Sequence, residues 1–185
     1  MTVTAKSVRR VVAANDDRGM AVAIQDGPSP DVRTDPARPG FVATRLWVTD
    51  GTPARTKGVT ETLDEPHTIE PPAKGSVFRY YEFPPDAGFI GGIGEDAVRA
   101  YFDAMGSPGA CTYGPDAPHP YMQKSRALDY CYVIEGEITL VLDTGEVDLK
   151  EGDVVVQRGT NHAWSNRSGK PAVVVVSSHA AAEEQ

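Results

Sequence analysis

Cysteine is scarce: Cys111 and Cys131 are the two in 185 residues. Two cannot build a disulfide framework, so reduced thiols and a cytoplasmic setting are expected. Long apolar runs are missing too. The longest are about five residues, against roughly 20 needed to span a bilayer. Met1 to Arg10 carries charge but no apolar segment of the kind a signal peptide requires, so no membrane partner is expected. Basic charge is in deficit, with 18 Lys and Arg against 26 Asp and Glu and a formal net charge of −8. Binding along a phosphate backbone runs on clustered Lys and Arg, and Arg9 with Arg10 do not make a cluster. No helix pair suited to DNA reading is evident, so no nucleic-acid partner is expected. What remains is an ordinary composition, 40% hydrophobic and 24% charged, in a chain long enough for one domain with a substantial core.

What is abundant is short strands. From Ala127 onward, apolar and aromatic runs alternate with turn residues. Ala127–Ile134 ends at Glu135-Gly136, Glu137–Leu142 at Asp143-Thr144-Gly145, and Glu146–Leu149 at Lys150–Asp153. Val154–Gln157 ends at Arg158–Asn161; His162–Asn166 is followed by the loop Arg167–Pro171, and Ala172–Ser177 closes the series. Runs of four to eight β-branched and aromatic residues broken by Gly and Asp predict an antiparallel all-β sandwich or small barrel.

Within these turns, Gly152, Gly159, His162 and Asn166 follow one another as in the second motif of the cupin family, with the gap after Gly152 one residue short of the usual form, and the chain resembles that family over its last third. Gln157 stands at that family's proline position. Asp129 lies seven residues before Gly136, where the family places a glutamate before a glycine. Gln123 and Ser125 occupy the positions of the two histidines of the first motif. The resemblance implies an all-β, jelly-roll β-barrel with an N-terminal extension and one short helix. It also implies that Asp129 and His162 point into the barrel, above a floor of Ile138, Leu140 and Leu142. Such barrels often pair, so a homodimer is expected.

The N-terminal half is read as strands and loops over 1–75 that extend or cover a barrel at 76–185. Val8–Ala14 and Met20–Gln25 flank a five-residue turn and predict a hairpin. Asp26–Gly40, with four prolines and two glycines, predicts a loop or extended arm. Phe41–Thr49 and Ser76–Phe83 predict strands. The polar segment Thr52–Pro72 predicts a surface loop in which His67 is solvent exposed. Val98, Tyr101, Phe102 and Met105 recur at spacings of three and four, predicting a helix over Glu95–Met105 with those four on one face.

Alternation sets which side chains share a face: His162, Trp164 and Asn166 on one strand, Asp129, Cys131 and Val133 on another. An apolar pocket with a few polar groups is the usual form of a small-molecule site. An imidazole beside a carboxyl group can exchange protons near neutral pH, so Asp129 and His162 are the candidate catalytic pair. Gln123, Ser125, Tyr121, Cys131, Trp164 and Asn166 are the candidate substrate contacts. Each has a plainer alternative: Asp129 capping a turn, Asn166 a turn residue, Trp164 core, Cys131 an inert small hydrophobe. The metal-dependent members of the family hold iron, manganese, zinc or nickel, and here His162, Asp129, Gln123 and His119 are the residues left to do so. Without a metal the pocket suits dehydration, cyclisation, isomerisation or decarboxylation of a small organic molecule in specialised metabolism. A metal-dependent dioxygenase or decarboxylase, and a non-catalytic ligand-binding barrel, are the alternatives.

Overall fold

The computed structural model describes residues 7–182. Residues 1–6, part of the stretch read above for a signal peptide, and 183–185 lie outside the described residues. Strands in chain order are β1 (Arg9–Asn15), β2 (Ala21–Pro28), β3 (Asp31–Arg33), β4 (Val42–Thr49) and β5 (Ser76–Phe83). They continue as β6 (Ala127–Glu135), β7 (Glu137–Leu142), β8 (Gly145–Lys150), β9 (Val154–Arg158), β10 (His162–Ser165) and β11 (Ala172–Ala180). A single α-helix, α1 (Glu95–Ala104), and three short 3-10 turns complete the described elements.

Two sheets enclose the core. One runs β3-β4-β5-β11-β6-β9 and the other β10-β7-β8, and every pairing within them is antiparallel. Cys131, Val133 and Val174 of the first meet Ile138, Leu140 and Trp164 of the second in one apolar cluster. This is the expected all-β architecture. It follows from alternation: Asp129, Cys131 and Val133 are buried while Tyr130 and Tyr132 stay 48% and 47% exposed on the opposite face. Central β11 fixes the rows. Val176 lies across from Arg79 on one side and Cys131 on the other, and Ser178 lies across from Asp129.

Helix α1 buries Val98, Tyr101 and Phe102, with Met105 just beyond it, in the same cluster. Burying a side chain of that size contributes about 1.5–3 kcal/mol, enough to hold a helix too short to persist alone. Gly106, at φ +69°, ends it; a Cβ there would sit 1.9 Å from the His67 carbonyl oxygen. The glycine therefore both permits the left-handed turn and lets the 67–70 segment lie against the helix end.

The N-terminal segments depart from expectation in two places. The proline-rich stretch over 26–40 carries β3, which pairs with β4 at the edge of the larger sheet, and then turns Arg38 inward, where it is buried. Within the 52–72 segment, residues 52–58 are exposed as expected, but from His67 onward it turns inward. Arg45 Nη1 and Nη2 donate to the Pro66 and Glu65 carbonyls at 2.8 and 2.5 Å. Arg79 Nη2 donates to the Thr68 and Ile69 carbonyls at 2.7 and 2.6 Å. Backbone acceptors that no ladder satisfies are thus satisfied by long cationic side chains from the sheet. His67 is consequently buried at 7% exposure, the opposite of the solvent-exposed expectation, with Nδ1 3.2 Å from Asp31 Oδ2.

Candidate functional site

A cavity of about 40 Å³ lies inside the barrel. By the criterion of about 10–15 Å³ per water, that is room for a few waters, or for the reacting end of a small molecule. Of the residues singled out from sequence, Asp129, His162, Gln123, Ser125, Tyr121, Cys131 and Trp164 line it.

His162 opens β10 after the turn at Gly159, whose φ is +65°. Its backbone exchanges two hydrogen bonds with Gln123, at 2.8 and 2.9 Å, so the first-motif and second-motif positions are stitched side by side. His162 Nδ1 lies 2.9 Å from the Thr160 carbonyl oxygen, which can only accept; the proton therefore sits on Nδ1. That leaves a lone pair on Nε2, where the Gln123 amide nitrogen approaches to 3.3 Å. Burial pushes the imidazole below its ordinary value; the bond to the Thr160 carbonyl and the charge of Asp129 pull the other way without reversing it. The ring is a neutral base that lines the cavity, its basic nitrogen beside the Gln123 amide.

Asp129 projects from β6 on the opposing sheet, 8% exposed. Its Oδ1 is buried and finds no hydrogen-bond partner within the protein. A buried acceptor left unmatched costs about 1–3 kcal/mol, and such a cost persists where the atom serves something other than folding. Cys131, on the same face, is a buried thiol whose pKa is pushed up by burial and by the charge of Asp129. It is held as a thiol and is no nucleophile. The Tyr121 phenol is pushed to about 12 by burial, the charge of Arg38 opposing, and it donates to the Ala37 carbonyl.

Two expected site residues are elsewhere. Asn166 is not a substrate contact: fully buried, it donates Nδ2 to the Phe83 and Lys170 carbonyls at 2.8 Å each and accepts from Ser168 N and Oγ. Its hydrogen-bonding capacity is spent closing the 166–170 turn. His119 does not turn toward His162. Its Nε2 faces Asp86 Oδ2 at 3.4 Å, and its Nδ1 accepts from the Tyr121 amide. Asp86 also accepts from Ser165 Oγ at 2.6 Å. Burial would raise the Asp86 pKa, but His119 and Ser165 outweigh it, and the net shift is downward.

These placements bear on the metal implied by the family resemblance. Among the described residues no group of three or more His, Cys, Asp or Glu side chains could converge on one ion. His162 and Asp129 offer two ligands and Gln123 a neutral amide, whereas transition-metal sites generally use three or four protein ligands. The donor set present does not fit such a site.

Among the cavity residues that sequence reasoning did not single out are two buried cations, Arg38 and Arg79, which are 5% and 1% exposed. The signal for Arg79 was its place in strand alternation: it shares a face with Val77, Tyr81 and Phe83, all on the inner side of β5. Arg38 had none, since nothing in a proline-rich loop states which way it folds.

Comparison with known proteins adds the following. Residues 109–178 match the family described as "Cupin domain". "Phomopsin biosynthesis cluster protein D" of Diaporthe leptostromiformis is 60% identical over 48 residues, a match that spans 25% of this chain and 25% of that protein. "Cupin-domain-containing oxidoreductase virC" of Hypocrea virens is 45% identical over 58 residues, spanning 31% of this chain and 29% of that one. "Oryzines biosynthesis cluster protein J" of Aspergillus oryzae is 50% identical over 50 residues, spanning 26% and 28%. Among solved structures, the Schizosaccharomyces pombe Cnp3 cupin domain aligns over 93% of this chain and 87% of its own, with TM-score 0.45 and 8% identity.

Proposed function

We infer that this chain, a member of the cupin superfamily through its domain at residues 109–178, is an enzyme that moves protons on a small organic molecule in specialised metabolism. The observation that carries the reading is the pairing of unlike groups in one cavity. His162 is fixed as a neutral base with its Nε2 lone pair beside Gln123, and Asp129 from the opposite sheet presents an unpartnered Oδ1. A base below its ordinary pKa is unprotonated at neutral pH and ready to accept a proton, and a second carboxyl oxygen in the same cavity can hold or relay it. Gln123 steadies Nε2 in the resting state and is placed to donate to a substrate carbonyl when Nε2 takes its proton. The setting in specialised metabolism is supported by the names of the matched relatives, which place them in biosynthesis clusters. Dehydration, cyclisation, isomerisation and decarboxylation all need such proton transfer.

A redox reading has its own support, since other matched relatives are named cupin-domain-containing oxidoreductases. One experiment separates the two. The protein is incubated in D2O with a panel of 2-oxo acids and 1,3-dicarbonyl compounds, and carbon-bound deuterium is followed by NMR with oxygen excluded. Proton-transfer chemistry predicts anaerobic exchange in the wild type and a loss of at least about 100-fold in His162→Ala, with the circular dichroism spectrum unchanged. Exchange that persists in His162→Ala, or turnover that appears only with oxygen, would end the proton-transfer reading.

A further inference from the structure

Three arginines are buried in the larger sheet and its edge, and they are not alike. Arg45, 2% exposed, has a carboxylate: its Nε lies 2.6 Å from Asp31 Oδ2. Arg38 and Arg79 line the cavity, and neither has a carboxylate within ion-pair distance among the described residues. Arg79 is largely consumed by structure, although its Nε, like that of Arg38, finds no partner within the protein. Its Nη1 donates to Ser178 Oγ at 3.0 Å, and its Nη2 to the Thr68 and Ile69 carbonyls.

Arg38 is not consumed. It donates Nη2 to the Trp164 carbonyl at 3.0 Å, while its buried Nε finds no partner within the protein. Its guanidinium carbon lies 4.5 Å from the Tyr121 ring centroid, 4.6 Å from Phe41, 5.2 Å from Phe83 and 5.8 Å from Tyr101. Aromatic faces at these distances attract a cation and fix its plane, and the Tyr101 hydroxyl is a hydrogen-bond partner of the guanidinium, but none of them carries a charge to cancel its own. Burying a cation without a counter-charge costs several kcal/mol. Asp129 lines the same cavity and the charge of Arg38 helps hold the Asp86 pKa down, but no carboxylate pairs with Arg38 within ion-pair distance among the described residues.

We propose that Arg38 is the anion-binding residue of this cavity: the substrate is a small carboxylate whose acid group lies along the Nε–Nη edge of the guanidinium, with its reacting carbon toward His162 and Asp129. A planar, forked donor clamped between rings matches a planar carboxylate in two parallel hydrogen bonds. The cavity volume of about 40 Å³ restricts the buried part to an acid of a few heavy atoms, or to the acid end of a longer molecule. The proposal rests on the cavity being the substrate site, and it names the substrate class.

The test is equilibrium binding, read without turnover. Protein labelled with 15N-arginine is titrated with acetate and, separately, with acetamide, an uncharged molecule of nearly the same shape, while the Arg38 Nε–H resonance is followed. Acetate is expected to shift it saturably and acetamide to leave it in place. In Arg38→Gln, acetate binding measured by calorimetry is expected to weaken at least about tenfold, with Arg38→Lys intermediate. Equal responses to acetate and acetamide in the wild type would overturn the proposal and need no variant to fold; so would undiminished acetate binding in a folded Arg38→Gln. Acetate selectivity in a protein that catalyses no proton exchange would keep the anion site and remove the catalytic reading. Exchange on uncharged carbonyl compounds without acetate selectivity would do the reverse.

Discussion

The barrel buries polar groups in two places and treats them differently. At the β3–β4 edge, Asp31 meets Arg45 at 2.6 Å and His67 at 3.2 Å. Arg45 passes its remaining donors to the 63–66 carbonyls. Burial opposes the ionised Asp31, yet His67 and Arg45 bring its pKa down to about 2. In the cavity, by contrast, Asp129 Oδ1 and Arg38 Nε have no partner in the protein. The first cluster is closed and serves the fold. The second is left open, and an open buried valence is what a ligand can complete.

Breaking the closed cluster should cost the most stability. Asp31→Ala leaves Arg45 buried without its counter-charge and should lower the unfolding free energy by about 3–5 kcal/mol in urea denaturation; a loss under about 1 kcal/mol would mean the carbonyls alone suffice for Arg45. Next comes Asn166→Ala, which strips the Phe83 and Lys170 carbonyls of their donor and should cost about 1–3 kcal/mol while leaving acetate binding intact. If acetate binding were lost with the fold preserved, Asn166 would belong to the site after all. Asp129→Asn sharpens the contrast from the open side. It removes a carboxyl whose Oδ1 the fold does not use, so stability should stay within about 1 kcal/mol of wild type, or rise, as catalytic function is lost.

The smallest effect is a pH dependence. Burial holds His162 and His67 below the ordinary 6.5 of an imidazole. The unfolded chain therefore takes up these protons first. Native stability is unaffected well above 6.5 and falls as pH drops through that value toward the folded-state pKa. Asp31 and Asp86 are shifted below 3.8, so their stabilising contribution is complete above that value and lost only at lower pH. Thermal unfolding between pH 7.5 and 5.5 should thus show a decline that is shallower in His162→Gln. Identical slopes would show that His162 is protonated as readily inside the barrel as outside.

The strands from Ala127 to Ala180 were legible because each is short, alternating and closed by a Gly or Asp turn, so local pattern and tertiary face agree. The same alternation gave the residues that share a face with Asp129 and with His162, and the family resemblance implied that those faces point inward. The polar loops were not legible, because their polarity has two physical outcomes. Ser168 and its neighbours meet water, whereas His67 meets Asp31 and the carbonyls of 63–69 meet arginines that arrive from strands 10 to 21 residues away. Of the two readings of Asn166 the turn residue holds and the substrate contact does not, for a related reason: a side chain next to an inward face can still turn back to the chain when a loop offers it carbonyls.

The sequence alone determined the strands of the 127–180 stretch, the hairpin, the amphipathic helix and which residues share a face with Asp129 and with His162, because each depends on periodicity within one short segment. Only the tertiary structure decided that His119 turns to Asp86, that His67 is buried against Asp31, and that Arg38 from a proline-rich arm ends among four aromatic rings inside the barrel. Those outcomes depend on which distant groups come within hydrogen-bonding or ring-contact distance. That is set by how the loops close over the sheets, and no local pattern encodes it.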